Sequence, residues 1–170
     1  LVANSQHDLH IVIAEEGYTI AENRNYIAVQ AIKNGSTHVL MVDDDMTFPP
    51  DVLDTLLAND KDICGVAYHP RSADGEIVKY INAGNNELTP IKIEQLDDPT
   101  YKVPFKVHAT GTGVMLIKCS VFSKVPRPWF MFEYHETGQC KLGEDWYFCV
   151  KAGENGIETW CDPRPKIGHL

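Results

Sequence analysis

Three consecutive aspartates, Asp43, Asp44 and Asp45, stand directly after an apolar run in the stretch THVLMVDDDMTFPPDVL, residues 37–53. Carboxylates crowded this closely repel one another, and their pKa values rise unless a cation lies among them. A single acid would suit the dipole of a following helix, but three are more than that requires. Divalent cations take oxygen ligands and bridge to the phosphates of a substrate. The spacing therefore predicts a site for a metal ion and a phosphate-bearing ligand.

A second pair of acids, Glu144 and Asp145, opens a predicted helix in LGEDWYFCVKAGENG, residues 142–156. An acidic pair at such a place commonly does no more than complement the helix dipole. Here three aromatic residues follow directly, and a carboxylate beside an apolar wall has a raised pKa that suits a general base. The sequence therefore offers Asp145 and Glu144 as candidate catalytic residues.

Two further groups are open to more than one interpretation. The glycines of Gly111-Thr112-Gly113 would let the backbone pass close to a ligand, but a tight turn between strands explains them equally well. His169 stands second from the end of the sequence, where a solvated side chain is the default. An imidazole is also a good third ligand for a metal that carboxylates already hold.

The first 70 residues alternate between strand-like and helix-like patterns. Thr19 and Glu22 have the spacing of a capping box, which predicts a helix from Ile20 to Asn34 that stops at Gly35. Two prolines in the sequence FPPDVL predict the start of a second helix. The predicted strands are the apolar runs at residues 9–14, 38–43 and 62–68.

This alternation predicts an α/β fold with a mostly parallel central sheet and helices on both of its faces. Ligands bind such sheets at the C-terminal ends of the strands, and the three aspartates follow directly on one strand. Turn-rich residues 71–102 predict a loop or a small antiparallel ribbon. Two strand-like runs then flank the glycines within residues 103–118, and short strands follow the helix at 142–156.

Composition excludes some classes of partner. The net charge of −9 argues against nucleic-acid binding, which needs a basic face. No apolar run approaches the length that spans a membrane. The five cysteines include no C-x-x-C pair, which argues against a zinc knuckle and favours reduced thiols. We therefore expect a cytoplasmic protein without a membrane segment.

Taken together, the order of Arg24-Asn25, VDDDMTFPP, GTGVMLIK, PWF, GEDWYFC and GHL resembles small glycosyltransferases of the Rossmann-like GT-A fold. It is most similar to family 2 enzymes, especially compact phage or bacterial members. The resemblance runs from about residue 11 to the end and depends on order and spacing rather than on one motif. It implies a single domain, 1–170, with a nucleotide-binding half at 9–70 and an acceptor half at 103–170. We expect the family's first strand to be missing or replaced, because the sequence reaches the second by Leu9.

The resemblance also implies a role for each candidate residue. Asp145 matches the acid that deprotonates the acceptor in inverting members, with Glu144 beside it. Asp43 and Asp45 match a DxD motif that holds Mn²⁺ or Mg²⁺ together with His169. The donor, a UDP- or GDP-sugar, would contact Arg24, Asp43, Asp44, Gly111, Thr112 and Gly113. The acceptor, a hydroxyl compound, would lie towards Trp129, Phe130 and Tyr134.

Two other functions remain open from the sequence. Asp43-x-Asp45-x-Thr47 matches the nucleophile motif of haloacid-dehalogenase-type phosphatases, although the later acid pair of that family has no counterpart after Asp145. A non-catalytic nucleotide-sugar-binding module is the second alternative. An EF-hand fails, because Phe48 stands where the calcium loop needs glycine.

Overall fold

A computed structural model of the chain describes residues 6–14, 17–68, 76–82, 88–92, 95 and 98–170. The helices are α1 (Ile20–Lys33), α2 (Val52–Ala58), α3 (Val121–Lys124) and α4 (Glu144–Glu154), and a 3-10 turn covers Pro99–Lys102. The strands, in chain order, are β1 (His38–Val42), β2 (Met46–Thr47), β3 (Ile63–Val66), β4 (Glu76–Asn82), β5 (Leu88–Lys92), β6 (Phe105–Val107), β7 (Ala109–Thr110), β8 (Val114–Lys118), β9 (Glu133–Tyr134), β10 (Cys140–Leu142), β11 (Thr159–Asp162) and β12 (Gly168–His169).

The main sheet has the order β1-β8-β3-β11-β6. Only β3 and β11 pair in parallel among these strands, and the other three pairings are antiparallel. The prediction of a mostly parallel sheet is therefore wrong. The reason is β8, whose apolar residues are buried on both faces and which is inserted between β1 and β3. Those two strands still run in the same direction, because each is antiparallel to β8.

Helices cover both faces of this sheet, as the sequence predicts. Alternate strand residues enter two different cores, as expected from the two-residue period of a strand. Met115 and Ile117 pack with residues of α1, α3 and α4 on one face. Val114 and Leu116 pack with residues of α2 on the other face. The sheet is therefore the middle layer of three.

Helix α1 forms as its sequence predicts. The Glu22 backbone N–H donates to the Thr19 hydroxyl at 3.3 Å, and the Glu22 carboxylate accepts from the Thr19 backbone N–H at 2.8 Å. This reciprocal capping box satisfies two donors that a helix start leaves unpaired. The buried face of the helix consists of Ala21, Arg24, Ala28 and Ala31. Three small residues bring this face close to the sheet and carry Arg24 into the interior.

The strand predicted at residues 9–14 does not form. The side chains of Ile11 and Ile13 are 64% and 80% exposed. Leu9 packs against the core around α2, and His7 Nε2 lies 2.7 Å from Asp54 Oδ1 on that helix. A β-branched run becomes a strand only when a neighbour pairs with it, and the described part of β1 pairs with β8 alone.

The polar region after β3 contains the small antiparallel ribbon that its turn signals predict. Strands β5, β4 and β7 form a three-stranded sheet in that order. Parts of residues 71–102 lie outside the described residues. Among the helices that the structure describes, none has the length and apolar character that crossing a membrane requires.

Candidate active site

Arg24 joins the two acidic motifs inside the protein. The residue is only 5% exposed. Its Nη2 donates to Asp43 Oδ1 at 2.9 Å, and its Nη1 donates to Glu144 Oε1. A buried charge is tolerated only when it is paired and hydrogen-bonded, and Arg24 meets this condition with one acid from each motif. The end of β1 and the start of α4 are thereby held at the same place.

The backbone around Asp43 turns tightly after β1. The N–H of Asp43 donates to the carbonyl of Gly113 at 3.1 Å, and its own carbonyl accepts from Met46 at 3.3 Å. Asp44 and Asp45 occupy the turn between β1 and β2. The first aspartate is therefore held by α1 and by the glycine segment, whereas Asp44 is exposed at the surface.

The C-terminal strand lies directly beside the aspartates. β12 pairs antiparallel with β2, so that His169 is opposite Met46. The Leu170 N–H donates to the carbonyl of Asp45 at 2.8 Å, and the Thr47 hydroxyl donates to the carbonyl of Gly168 at 3.1 Å. Backbone pairing thus places His169 next to the motif with which the resemblance associates it.

Tyr68 completes this cluster, although no motif in the sequence singles it out. Its hydroxyl accepts a hydrogen bond from the Gly113 N–H at 3.2 Å. Its ring meets the His169 ring edge-on, with centroids 5.6 Å apart. Burial, together with the nearby charges of Asp145 and Asp43, raises the pKa of Tyr68 above its ordinary value. Its position just after β3, at the strand end where ligands bind in α/β sheets, was the signal that could have found it.

Asp145 has an environment suited to proton transfer. The side chain is half-buried, and its Oδ1 accepts from the Trp146 N–H at 2.8 Å. Burial and the neighbouring charge of Glu144 raise the pKa of Asp145 to about 6, against the opposing effect of Arg24. A carboxylate with this pKa is ionised at neutral pH and still basic enough to accept a proton.

The glycine segment is enclosed between these groups. Gly111, Thr112 and Gly113 are all buried. A Cβ at Gly113 would lie 2.9 Å from the Tyr68 hydroxyl, so the close approach requires glycine. The Thr112 hydroxyl is buried and has no hydrogen-bond partner within the part of the chain that the structure describes.

The three aromatic residues expected near an acceptor do not lie together. Trp129 and Phe130 are 2% and 1% exposed and pack in the core with α1, α3 and α4. Trp129 Nε1 donates to the carbonyl of Val125 at 2.9 Å. Their apolar rings gain more from this burial than from exposure, so these two side chains belong to the core, and their place towards an acceptor stays a prediction. Tyr134 on β9 is 59% exposed.

Asn25, the neighbour of Arg24, has a positioning function that the sequence did not reveal. Its amide Nδ2 donates to the carbonyl of Phe130 at 2.7 Å, and its Oδ1 accepts from the Trp129 N–H at 3.1 Å. Arg24 therefore fixes the two acidic motifs, and Asn25 attaches the segment that precedes β9 to the same helix.

The proposed metal ligands are not preassembled. Among the described residues, no three His, Cys, Asp or Glu side chains are grouped closely enough to hold a metal ion. Arg24 binds the carboxylate of Asp43, which opposes its use as a ligand. Asp45 and His169 are connected through the backbone only, because His169 is opposite Met46 in the strand pairing and the Asp45 carbonyl accepts from the Leu170 N–H. Ions such as Mg²⁺ are commonly bound by one or two protein ligands together with substrate phosphates, so the assignment of a metal ion to these residues stays a prediction.

Comparisons with known proteins support the fold only. No protein-family model and no curated protein sequence matches the chain. Solved structures do match: A197 from STIV has a TM-score of 0.64 at 16% identity, over 94% of this chain and 71% of that one. GalNAc-T7, crystallised with UDP, GalNAc and Mn²⁺, has a TM-score of 0.57 at 15% identity, over 88% of this chain and 30% of that one. At such identities a shared fold does not establish a shared function.

Proposed function

We propose that this chain is a metal-dependent glycosyltransferase that moves a sugar from a nucleoside diphosphate sugar to an acceptor hydroxyl. The observation that carries the proposal is the Arg24 junction. It joins Asp43, the first of the aspartates after β1, and Glu144, the first acid of α4, through one buried cation. A group that binds a diphosphate and a group that accepts a proton are what sugar transfer requires.

The donor side is formed by the turn after β1 and by the C-terminal strand. Asp45 and His169 would hold Mn²⁺ or Mg²⁺ together with the donor's diphosphate, and the ion would neutralise the charge that develops on the leaving group. Asp44, which is exposed, would contact the ribose. The backbone of Gly111–Gly113 would border the sugar. UDP is the first nucleotide to test, because GalNAc-T7 was crystallised with UDP, GalNAc and Mn²⁺.

Asp145 is the proposed general base. Its carboxylate takes the proton from the acceptor hydroxyl while that oxygen attacks the anomeric carbon on the face opposite the leaving diphosphate. The anomeric configuration is then inverted. Glu144 does not share this role, because its carboxylate accepts from Arg24. Tyr134 on β9 lies in the hairpin just before α4 and is the remaining aromatic candidate for the acceptor.

One observation favours a second candidate, a nucleotide-sugar-binding module without turnover. The described residues contain no preassembled metal-binding group. A phosphatase has less support, since a carboxylate that accepts a hydrogen bond from a buried guanidinium, as Asp43 does, is a weakened nucleophile.

A donor-turnover assay distinguishes the three functions. Wild-type protein is incubated with UDP-GalNAc, UDP-glucose or GDP-mannose and Mn²⁺, and nucleotide release is measured with water or simple sugars as acceptors. Metal-dependent release of one nucleotide, with an inverted product anomer, is the expected result. Binding without release would favour the module, and hydrolysis of p-nitrophenyl phosphate without release would favour the phosphatase.

A further inference from the structure

Tyr68 lies at the C-terminal end of β3 and contacts two separate elements of the candidate site. Its hydroxyl accepts from the Gly113 N–H at 3.2 Å. The edge-on contact with the His169 ring has an interplanar angle of 71°. The side chain is 8% exposed. The proposed reaction gives it no chemical step, although it lies between the glycine segment and the C-terminal strand.

Gly113 links Tyr68 to the aspartates. Its carbonyl accepts from the Asp43 N–H at 3.1 Å, while its N–H donates to the Tyr68 hydroxyl. This peptide is therefore held from both sides. A displacement of Tyr68 would move Gly113, and with it the point where β1 ends and the turn of aspartates begins.

We propose that Tyr68 is a positioning residue for the donor end of the site. It holds the Gly113–Asp43 link through its hydroxyl and the His169 ring through its own ring. This inference rests on the proposed function, because it concerns the residues assigned to the diphosphate and its ion. The hydroxyl of Tyr68 makes one contact and its ring makes the other, so a substitution that removes only the hydroxyl separates the two.

Two variants and a matched control test the proposal. Tyr68→Phe removes the hydroxyl and keeps the ring, whereas Tyr68→Leu removes both. Tyr101→Phe is the control, because Tyr101 also meets an aromatic ring edge-on, that of Phe105 at 4.7 Å, in a separate core cluster. Each protein is titrated calorimetrically with UDP in the presence of Mn²⁺. Amide exchange of Gly113 and the His169 ring-proton shifts are measured by NMR without ligand.

Tyr68→Phe is expected to weaken UDP–Mn²⁺ binding about tenfold and to speed Gly113 exchange by a similar factor, because a buried N–H loses its acceptor. Tyr68→Leu is expected to weaken binding further and to shift the His169 ring protons. Tyr101→Phe should change none of these. A purely structural role would lower the Tm and leave the affinity of the folded protein unchanged.

Unchanged UDP–Mn²⁺ affinity in a folded Tyr68→Phe would overturn the proposal. Should Tyr68→Leu fail to fold, Tyr68→Phe decides alone. Wild-type protein that binds neither UDP nor GDP would reject the proposed function instead. The Gly113 exchange rate and the His169 shifts would still show whether Tyr68 holds the two elements. Unchanged values in the Tyr68 variants would reject the positioning role of Tyr68 as well.

Discussion

Each end of the main sheet holds one cation between two acids, but in opposite surroundings. At the site end, the Arg24 side chain is 6% exposed and bridges acids from two motifs. At the other end, the Lys118 side chain is 25% exposed and pairs with Asp60 at 2.8 Å and Asp62 at 3.3 Å. The side chains of those acids are 89% and 38% exposed. The charges are alike, but Glu144 is buried together with Arg24, whereas the Asp43 side chain is 36% exposed and resembles Asp62 in this respect.

The difference indicates what each cluster does. Exposed pairs of this kind contribute roughly 0–1 kcal/mol and are screened by salt. In a buried cluster, desolvation offsets much of the attraction, so we expect Arg24 to position its two acids rather than to add much net stability. A cavity of about 280 Å³ lies at the Lys118 end, where Lys61 covers the Trp160 ring at 3.7 Å. The position of this cavity does not follow the burial of the two clusters.

The largest contrast is expected in turnover. Asp145→Asn should lower sugar transfer roughly 10²–10⁴-fold, the range that general-base assistance supplies, and leave UDP binding intact. Asp62→Asn at the other end should leave the rate unchanged. Nucleotide release from the UDP-sugar measures both variants. Full activity in Asp145→Asn would remove the inverting assignment.

The next contrast is in stability. Arg24→Met should lower the free energy of unfolding by about 3–5 kcal/mol, because it leaves Glu144 buried without its partner. Lys118→Met should cost less than about 1 kcal/mol. Urea denaturation monitored by circular dichroism gives both values. Equal losses would mean that the two clusters do not differ in the way their burial indicates.

The pH dependence of the rate sharpens the contrast further. A general base works only when it is deprotonated, and the pKa of Asp145 is raised to about 6. The rate should therefore fall about tenfold for each pH unit below this value and level off above it. Rates at saturating donor from pH 4.5 to 8, on protein shown to remain folded, measure this. A rate that rises as the pH falls through 6 would contradict a base role for Asp145.

The smallest expected effect concerns salt. In 1 M NaCl the Debye length is about 3 Å, so the stability difference between Lys118→Met and wild type should vanish. The loss caused by Arg24→Met should persist, since buried pairs are screened much less. Repeating the urea series at low and high salt provides the measurement. Persistence of the Lys118 effect would show that this cluster is better shielded than its exposure indicates.

Local signals in the sequence predicted helix α1 well. Its start depends on Thr19 and Glu22, which are three residues apart, and its end depends on Gly35. Such signals act within one turn and need no knowledge of the rest of the fold. The strands were harder, because pairing is a property of two segments. The apolar run at 9–14 found no partner, and β8 took the place beside β1 that a parallel neighbour was expected to fill.

The sequence pointed to the acids of the candidate site but not to the hydrogen bonds that join them. Asp43 was singled out because three crowded carboxylates are unusual in a sequence, and Asp145 because aromatic residues follow it and because the resemblance implies a base there. The resemblance implied that Arg24 faces the donor, which stays a prediction, and no local pattern reveals its pairing with Asp43 and Glu144. The resemblance implied that Trp129 and Phe130 lie towards an acceptor, and a motif in the sequence does not distinguish a core aromatic side chain from an exposed one.

The central claim is that the turn after β1 and the C-terminal strand bind a nucleoside diphosphate with a divalent ion. Calorimetric titration of UDP and of GDP, with and without Mn²⁺, tests it on wild type, Asp45→Ala and the control Asp62→Ala. We expect binding of one nucleotide that requires Mn²⁺, disappears in Asp45→Ala and persists in Asp62→Ala. Absence of binding in the wild type, or equal binding in Asp45→Ala, would contradict the claim.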